Sequence, residues 1–345
     1  MTLPALRPAL GAGSLLVALY VLSDFGVVSL MNYDALTRAI FLHYRSLFDR
    51  TPAAVLALVL VALTAVVLLL EAQTQRRGRL YRSAPGAARK HRLVRLGRWR
   101  WAALAYCTLT VGTFLALPVA VLGYWLARAI EQDRGLDNVW REGLNSVTAS
   151  GLAALVTVAA ALPIAILAVR FRSPATRLLE RAAYASNALP GIVVALALVF
   201  FAARYLSPLY QTLALLVIAY VIRFFPQALA GVESALERVN PRLEEAARGL
   251  GKRPAAVLTR VTLPLARPGL AAGLALVFLS AMKELPITLL LRPIGFDTLA
   301  TEIWKQTSVA AYSRAALPAL LLIAVSVPFL FLLWREKPVR SAGVD

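Results

Sequence analysis

Apolar residues in this chain fall in long continuous runs, and polar residues fall in short, mostly basic stretches between them. Eight runs predict helices: Leu10–Leu22 with an extension toward Leu30, Ala53–Leu70, Trp101–Leu126, Val147–Val169, Ala188–Ala203, Leu209–Val221, Leu270–Leu291 and Ala316–Trp334. A helix needs roughly 20 apolar residues to cross the hydrocarbon core of a bilayer. The pattern therefore predicts an all-α, polytopic membrane protein with about eight transmembrane helices. The fifth and sixth runs are short and contain or abut Pro190 and Pro226.

Composition agrees with the pattern. Of 345 residues, 59% are hydrophobic, against about 45–50% apolar residues in soluble domains, and the mean hydropathy is +0.69. The net charge of +19 would suggest nucleic acid on a soluble chain. Here the basic residues flank apolar runs, so the positive-inside rule accounts for them and no nucleic-acid partner is expected. The densest clusters lie at Arg76–Arg100, after the fourth run (Arg170, Arg172, Arg177, Arg181), after the sixth (Arg223, Arg238, Arg242, Arg248, Lys252, Arg253, Arg260, Arg267) and in the tail (Arg335, Lys337, Arg340). With those segments cytoplasmic and eight spans, both termini are cytoplasmic and the chain is multi-pass in the plasma (inner) membrane. Trp99, Trp101, Tyr124, Trp125, Trp304, Tyr312 and Trp334 fit an aromatic belt at the interfaces. Cys107 lies in an apolar run and reads as a buried small hydrophobe. His43 and His91 stand in no ligand-spaced motif, so neither a metal site nor a catalytic residue is expected.

The chain contains an internal repeat. Leu3, Pro4, Arg7, Pro8, Leu10, Ala12 and Gly13 recur as Leu263, Pro264, Arg267, Pro268, Leu270, Ala272 and Gly273, at a constant offset of 260 residues. Asp24 falls on Glu284. After a three-residue insertion, Tyr33-Asp34-Ala35-Leu36 falls on Phe296-Asp297-Thr298-Leu299. The expected organisation is therefore residues 1–74 as the last two spans of a truncated first half and 75–100 as a basic cytoplasmic linker. Residues 101–345 form a complete six-span half with its core at 145–334. Met1 occupies the position of Val261, so the natural polypeptide either begins earlier or has lost most of that first half. The linker is a long cytoplasmic loop or a contact for surface lipids.

The segment between the sixth and seventh runs carries the functional signal. Glu245-Ala246-Ala247 is followed after three residues by Gly251, then after nine by Val261, with Leu263-Pro264 beyond. Asn240 and Pro241 suit the N-cap and first turn of a helix. Glu244 and Glu245 lie near the positive end of its dipole. Ala246 and Ala247 let a partner approach the backbone. Gly249 and Gly251 can end the helix, and Pro254 can begin a second one. Gly249-Leu250-Gly251-Lys252 lacks the first Gly and the hydroxyl of a phosphate-binding loop, so no nucleotide is expected on this chain.

That spacing resembles the EAA loop of binding-protein-dependent ABC importer permeases, with Val261 in place of isoleucine. The resemblance implies a MetI-like permease fold and a cytoplasmic elbow that docks on a dimeric ABC ATPase subunit. It also implies ATP and Mg on that partner rather than here, and a substrate-binding protein outside the membrane. Lys283-Glu284-Leu285-Pro286 and Gly295-Phe296-Asp297-Thr298-Leu299-Ala300 resemble the ferric-iron permeases, in which two halves are fused. The missing half, or a second permease copy, is then a further partner beside the lipid bilayer.

Asp24, Lys283, Glu284 and Asp297 are candidates for the translocation path or for contact with the binding protein, with Lys283 and Glu284 placed inside the seventh span. An interhelix hydrogen bond is an equal alternative for Glu284, and Pro286 is expected to kink or end that span. Asp34 and Asp297 are expected to cap short helices, docking contacts being secondary. Asn187 and Pro190 mark either a helix break on the path or core packing. Rival readings are the same machinery with thiamine, a phosphonate or a polyamine as cargo, a secondary transporter driven by an ion gradient, and an inactive remnant.

Overall fold

The computed structural model describes residues 2–46, 49–79, 97–132, 139–171, 173–186 and 189–335, and every regular element among them is helical. Helix α1 (Thr2–Ser23) is followed by the short α2 (Gly26–Leu30) and α3 (Leu36–Arg45), then by α4 (Thr51–Arg79). Helices α5 (Trp99–Val111) and α6 (Leu117–Glu131) form one continuous rod, joined by a π-helical turn at Gly112–Ala116. Next come α7 (Val139–Arg170), α8 (Pro174–Ala185), α9 (Gly191–Tyr205) and α10 (Leu213–Glu237). The elbow segment contributes α11 (Pro241–Gly249) and α12 (Pro254–Val257), which runs through a π-helical turn at Leu258–Thr262 into α13 (Leu263–Met282). The chain closes with α14 (Pro286–Leu291), α15 (Leu299–Ser308) and α16 (Tyr312–Arg335).

Among the described residues, six segments are long and apolar enough to span a bilayer: Thr51–Leu70, Trp99–Glu131, Val139–Arg170, Leu213–Glu237, Pro254–Met282 and Tyr312–Leu333. Two shorter apolar helices, Gly13–Ser23 and Gly191–Tyr205, stand beside them. Each of the eight apolar runs is therefore a helix, with corrections at the ends. The seventh run does not continue to Leu291. Pro286 has no N–H, and its ring would collide with the carbonyl four residues earlier, that of Met282. The helix stops at Met282 and restarts at Pro286. Lys283 and Glu284 consequently sit in the break and not inside a span. The sixth run continues well past Val221, so Arg223 lies inside α10 and not in the loop after it, and Pro226 is accommodated in the same helix.

The centre of the bundle is α7, α10 and α13. Their contact surfaces are built from small residues: Ala149, Ala153, Ala161 and Ala165 of α7 are essentially inaccessible, as are Ala219 and Ala228 of α10. A Cβ on Gly231 would lie 2.9 Å from the Gly273 Cα, and one on Gly269 would lie 2.5 Å from the Ala235 Cβ. Small residues four apart on each helix thus bring two backbones into contact, the packing that substitutes for hydrophobic drive inside a bilayer. The α5–α6 rod is different: no residue of α5 is buried, and α6 packs chiefly on α16. Cys107, expected to be buried, is exposed on α5, because that helix has no inner neighbour.

The repeat is visible in the helix order. α1–α2–α3–α4 and α13–α14–α15–α16 follow the same plan of a long helix, a break, two short helices and a long helix. The two units meet where the Trp304 indole N–H donates to Ser29 Oγ at 3.0 Å and packs edge-on against Phe41.

Candidate functional site

The elbow is built from local rules. Asn240 caps α11, its Oδ1 accepting the Arg242 N–H at 3.0 Å, and Pro241 occupies the first turn. At the other end the Lys252 N–H reaches the Ala247 carbonyl (3.1 Å) and the Gly251 N–H reaches that of Arg248 (2.9 Å). This is the Schellman pattern, with Gly251 in the left-handed region at φ +79°, where a side chain would be strained. Gly249, the other expected terminator, remains helical. Pro254 then opens α12.

On this frame Glu245 and Ala246 are exposed and Ala247 is half-buried on α11. Gly251 makes the turn, the half-buried Val261 lies in the π-helical turn, and Leu263 and Pro264 open α13. The motif therefore brings together a bare helical surface and the root of a core helix.

The neighbouring acid behaves oppositely. The Glu244 side chain is 7% exposed. Its Oε1 accepts from Arg170 Nη2 at 3.0 Å and from Thr262 Oγ1 at 2.9 Å, and Arg248 lies 3.8 Å from its Oε2. Arg170 Nη2 also donates to the Leu236 and Val239 carbonyls, each at 3.2 Å, at the carbonyl-rich end of α10. Removing one member of such a buried pair costs about 3–5 kcal/mol, because the other charge is stranded. A cavity of about 240 Å³ lies beside this cluster, walled by Ile166, Phe171, Leu236 and Leu258. At the same end of the bundle α8 is held by a Ser173–Thr176 capping box and by Tyr184, which donates to Glu233 Oε2 at 2.8 Å. Burial first, and then that hydrogen bond, pushes the Tyr184 hydroxyl pKa above its ordinary value.

The opposite end holds the other candidates. Lys283 is exposed at the α13 terminus. Glu284 is half-buried, with Oε1 shielded from solvent and lacking a hydrogen-bond partner. A Cβ on Gly191, at the start of α9, would stand 2.8 Å from that oxygen. Thr288 Oγ1 donates to the Glu284 carbonyl at 2.5 Å and shares a hydrogen with the buried Tyr220 hydroxyl at 2.6 Å. Asp24 occupies the equivalent break after α1, its carbonyl accepting from Thr37 Oγ1 at 2.7 Å.

The two aspartates do not cap helices. Asp297 pairs with Arg292 while its carbonyl accepts from Asn145 at 2.9 Å, and the α15 cap is Thr298, in a box with Thr301. Asp34 instead forms an ion pair with Arg38, one helical turn along α3. Asn187 lies outside the described residues, and Pro190 is the residue that precedes α9. Among the described residues no three His, Cys, Asp or Glu side chains stand together as a metal site.

Arg170, Thr262 and Thr298 escaped the sequence reading. Arg170 was absorbed into the topological charge count, and threonines leave no signal in a hydropathy pattern. Pairing Arg170 with Glu244 depends on a contact between residues far apart in sequence.

The model of the family described as binding-protein-dependent transport system inner membrane component matches residues 161–334, half of the chain. Over 339 residues the chain is 38% identical to the Fe(3+)-transport system permease protein FbpB 2 of Haemophilus influenzae, covering 96% of this chain and 66% of that protein. It is 27% identical over 160 residues to the putative 2-aminoethylphosphonate transport system permease protein PhnV of Salmonella typhimurium, covering 46% of this chain and 60% of that one. To the molybdenum transport system permease protein ModB of Escherichia coli it is 31% identical over 164 residues, covering 44% and 72%. The chain thus spans just under two thirds of the length of the first two of these relatives. A chain of a bacterial alginate ABC transporter, solved in complex with the alginate pentasaccharide-bound periplasmic protein, superimposes with a TM-score of 0.55 at 19% identity, over 72% of this chain and 97% of that one. A second structure of a bacterial alginate importer gives 0.56 at 19% identity, over 70% and 98%. These superpositions speak for the fold alone. The chain belongs to the family of binding-protein-dependent transport system inner membrane components.

Proposed function

We propose that this chain is the permease subunit of an ATP-driven importer, that its elbow docks a separate ATPase, and that its cargo is ferric iron handed over by a binding protein outside the membrane. The observation that carries this reading is the elbow: a capped helix with Glu245 and Ala246 bare and Glu244 tied into the bundle. Such a part transmits force from a partner to α13. In this reading the elbow end is cytoplasmic, as its arginines require, and ATP with Mg is bound and hydrolysed on the partner. Both termini are then cytoplasmic.

Residues 101–345 act as one permease half, and 1–74 supply the last two spans of another. A machine with two ATPase subunits takes two elbows, and the second comes from a further permease half or a second copy of this chain. Asp24, Lys283, Glu284 and Asp297 are assigned to the path or to the mouth that receives the binding protein. The similarity to FbpB 2 over almost the whole chain favours iron. The shorter matches to PhnV and ModB favour a second cargo reading, a small oxyanion or phosphonate.

Labelled ferric-iron uptake, with the locus intact and deleted, separates the two. Loss on deletion supports iron. Unchanged uptake in a strain without another iron importer moves the cargo to the second class. Glu245→Lys is expected to abolish co-purification of the ATPase; normal recovery of the ATPase would remove the docking role of the elbow.

A further inference from the structure

Glu244 and Arg170 lie outside the EAA motif and Thr262 fills one of its unspecified positions, yet the three tie several elements together. Arg170 ends α7. Its Nη2 reaches the Leu236 and Val239 carbonyls at the end of α10 and Glu244 Oε1 on α11. The same oxygen accepts from Thr262 Oγ1, in the π-helical turn that leads into α13. One carboxylate oxygen thus joins the elbow to the end of α7 and the root of α13, and Arg170 carries the joint on to the end of α10. The Glu244 side chain is 7% exposed and that of Arg170 16%, so solvent screens these contacts little.

The motif's own acid, Glu245, faces outward from the next position of the same helix. Adjacent positions of α11 therefore divide the work, one toward the outside and one toward the bundle. π-Helical turns inside α-helices frequently mark functional positions, and this one carries the hydroxyl that completes the joint.

We infer that Arg170, Glu244 and Thr262 are positioning residues that gear the elbow to α7 and α13 together, so that a push on α11 is delivered to two core helices at once. The inference rests on the importer reading above. Without the joint, the ATPase still docks on the exposed face but its motion stays in the elbow.

The test uses the full permease–ATPase complex in vesicles. Cys107→Ser removes the only native thiol, and Leu289→Cys places one on α14 at the far end. Maleimide labelling is measured with and without trapped ATP. The ATP-dependent change in labelling is expected to fall roughly tenfold in Thr262→Val and in Glu244→Gln, a size usual for coupling between distant sites, with ATPase co-purification unchanged.

Thr262→Val keeps the volume and the Arg170–Glu244 pair, so it guards against simple misfolding. A variant that keeps the full ATP response, even with a lowered thermal midpoint, makes the cluster merely structural and overturns the inference. A folded variant that loses the ATPase moves these residues to the docking surface, which overturns the inference and leaves the importer reading standing. No ATP response in the parent complex sinks the importer reading and this one with it, and normal ATPase recovery with Glu245→Lys removes the docking role of the elbow and this inference with it.

Discussion

The units α1–α4 and α13–α16 share a helix plan but not an environment. In the second, α13 is covered by α7 and α10, with Gly269 and Gly273 in backbone contact distance. In the first, Gly13 stands at the position of Gly273, and a Cβ added to it would meet no other element within 4 Å. The second break carries a shielded carboxylate, Glu284, against α9. The first carries Asp24, whose backbone carbonyl accepts from Thr37. Helix α15 begins with a capping box, whereas α3 has Ala35 at its N-cap and no side-chain cap. The helix–break–helix plan therefore survives in two surroundings. What the second surroundings add is close packing and buried polar contacts.

Three sets of substitutions bear on this contrast. The largest difference is expected between Gly273→Leu and Gly13→Leu. The first forces α10 and α13 apart and destabilises by about 3 kcal/mol, the upper range for overpacking. The second stays within about 0.5 kcal/mol. Thermal midpoints in detergent compare them, and equal losses would mean that α1 is packed as tightly as α13.

Gly191→Ala comes next. Its methyl group would displace the Glu284 carboxylate, at about 1–2 kcal/mol, and adding Glu284→Ala is expected to relieve part of that loss. Strict additivity in the double mutant would mean that the two sites do not touch. Asp24→Ala combined with Gly191→Ala serves as the additive control.

The smallest effect concerns caps. Thr298→Ala is expected to lose about 1 kcal/mol. The reciprocal Ala35→Thr gives α3 the cap it lacks and raises the midpoint slightly. No change in either direction would show that tertiary packing alone sets the start of both helices.

The long apolar helices were legible because hydrophobicity in a bilayer is nearly a direct readout of burial in lipid. Their ends were not. Leu270–Leu291 reads as one run because Leu285, Ile287 and the following leucines are as apolar as any span. Only Pro286 signals the break, and a proline inside α10, Pro226, shows that the same residue can be absorbed. Short helices such as α3, α8 and α15 mix polar and apolar residues and left no hydropathy signal. In the elbow, caps and turns were readable because they are local. The inward role of Glu244 was not, because it needs Arg170 on another helix. Cys107 was misplaced for a related reason: an apolar run cannot say whether lipid or protein surrounds it.

The contact between Gly231 and Gly273 leaves no side chain between α10 and α13 to act as a bearing. Two backbones in such contact cannot slide lengthwise without colliding with their next bulky neighbours. Shear between these helices is closed off, and hinge rotation about the contact stays open. The crossing of α10 and α13 is therefore a fulcrum, and a push on the elbow on one side of it swings the Met282 break on the other.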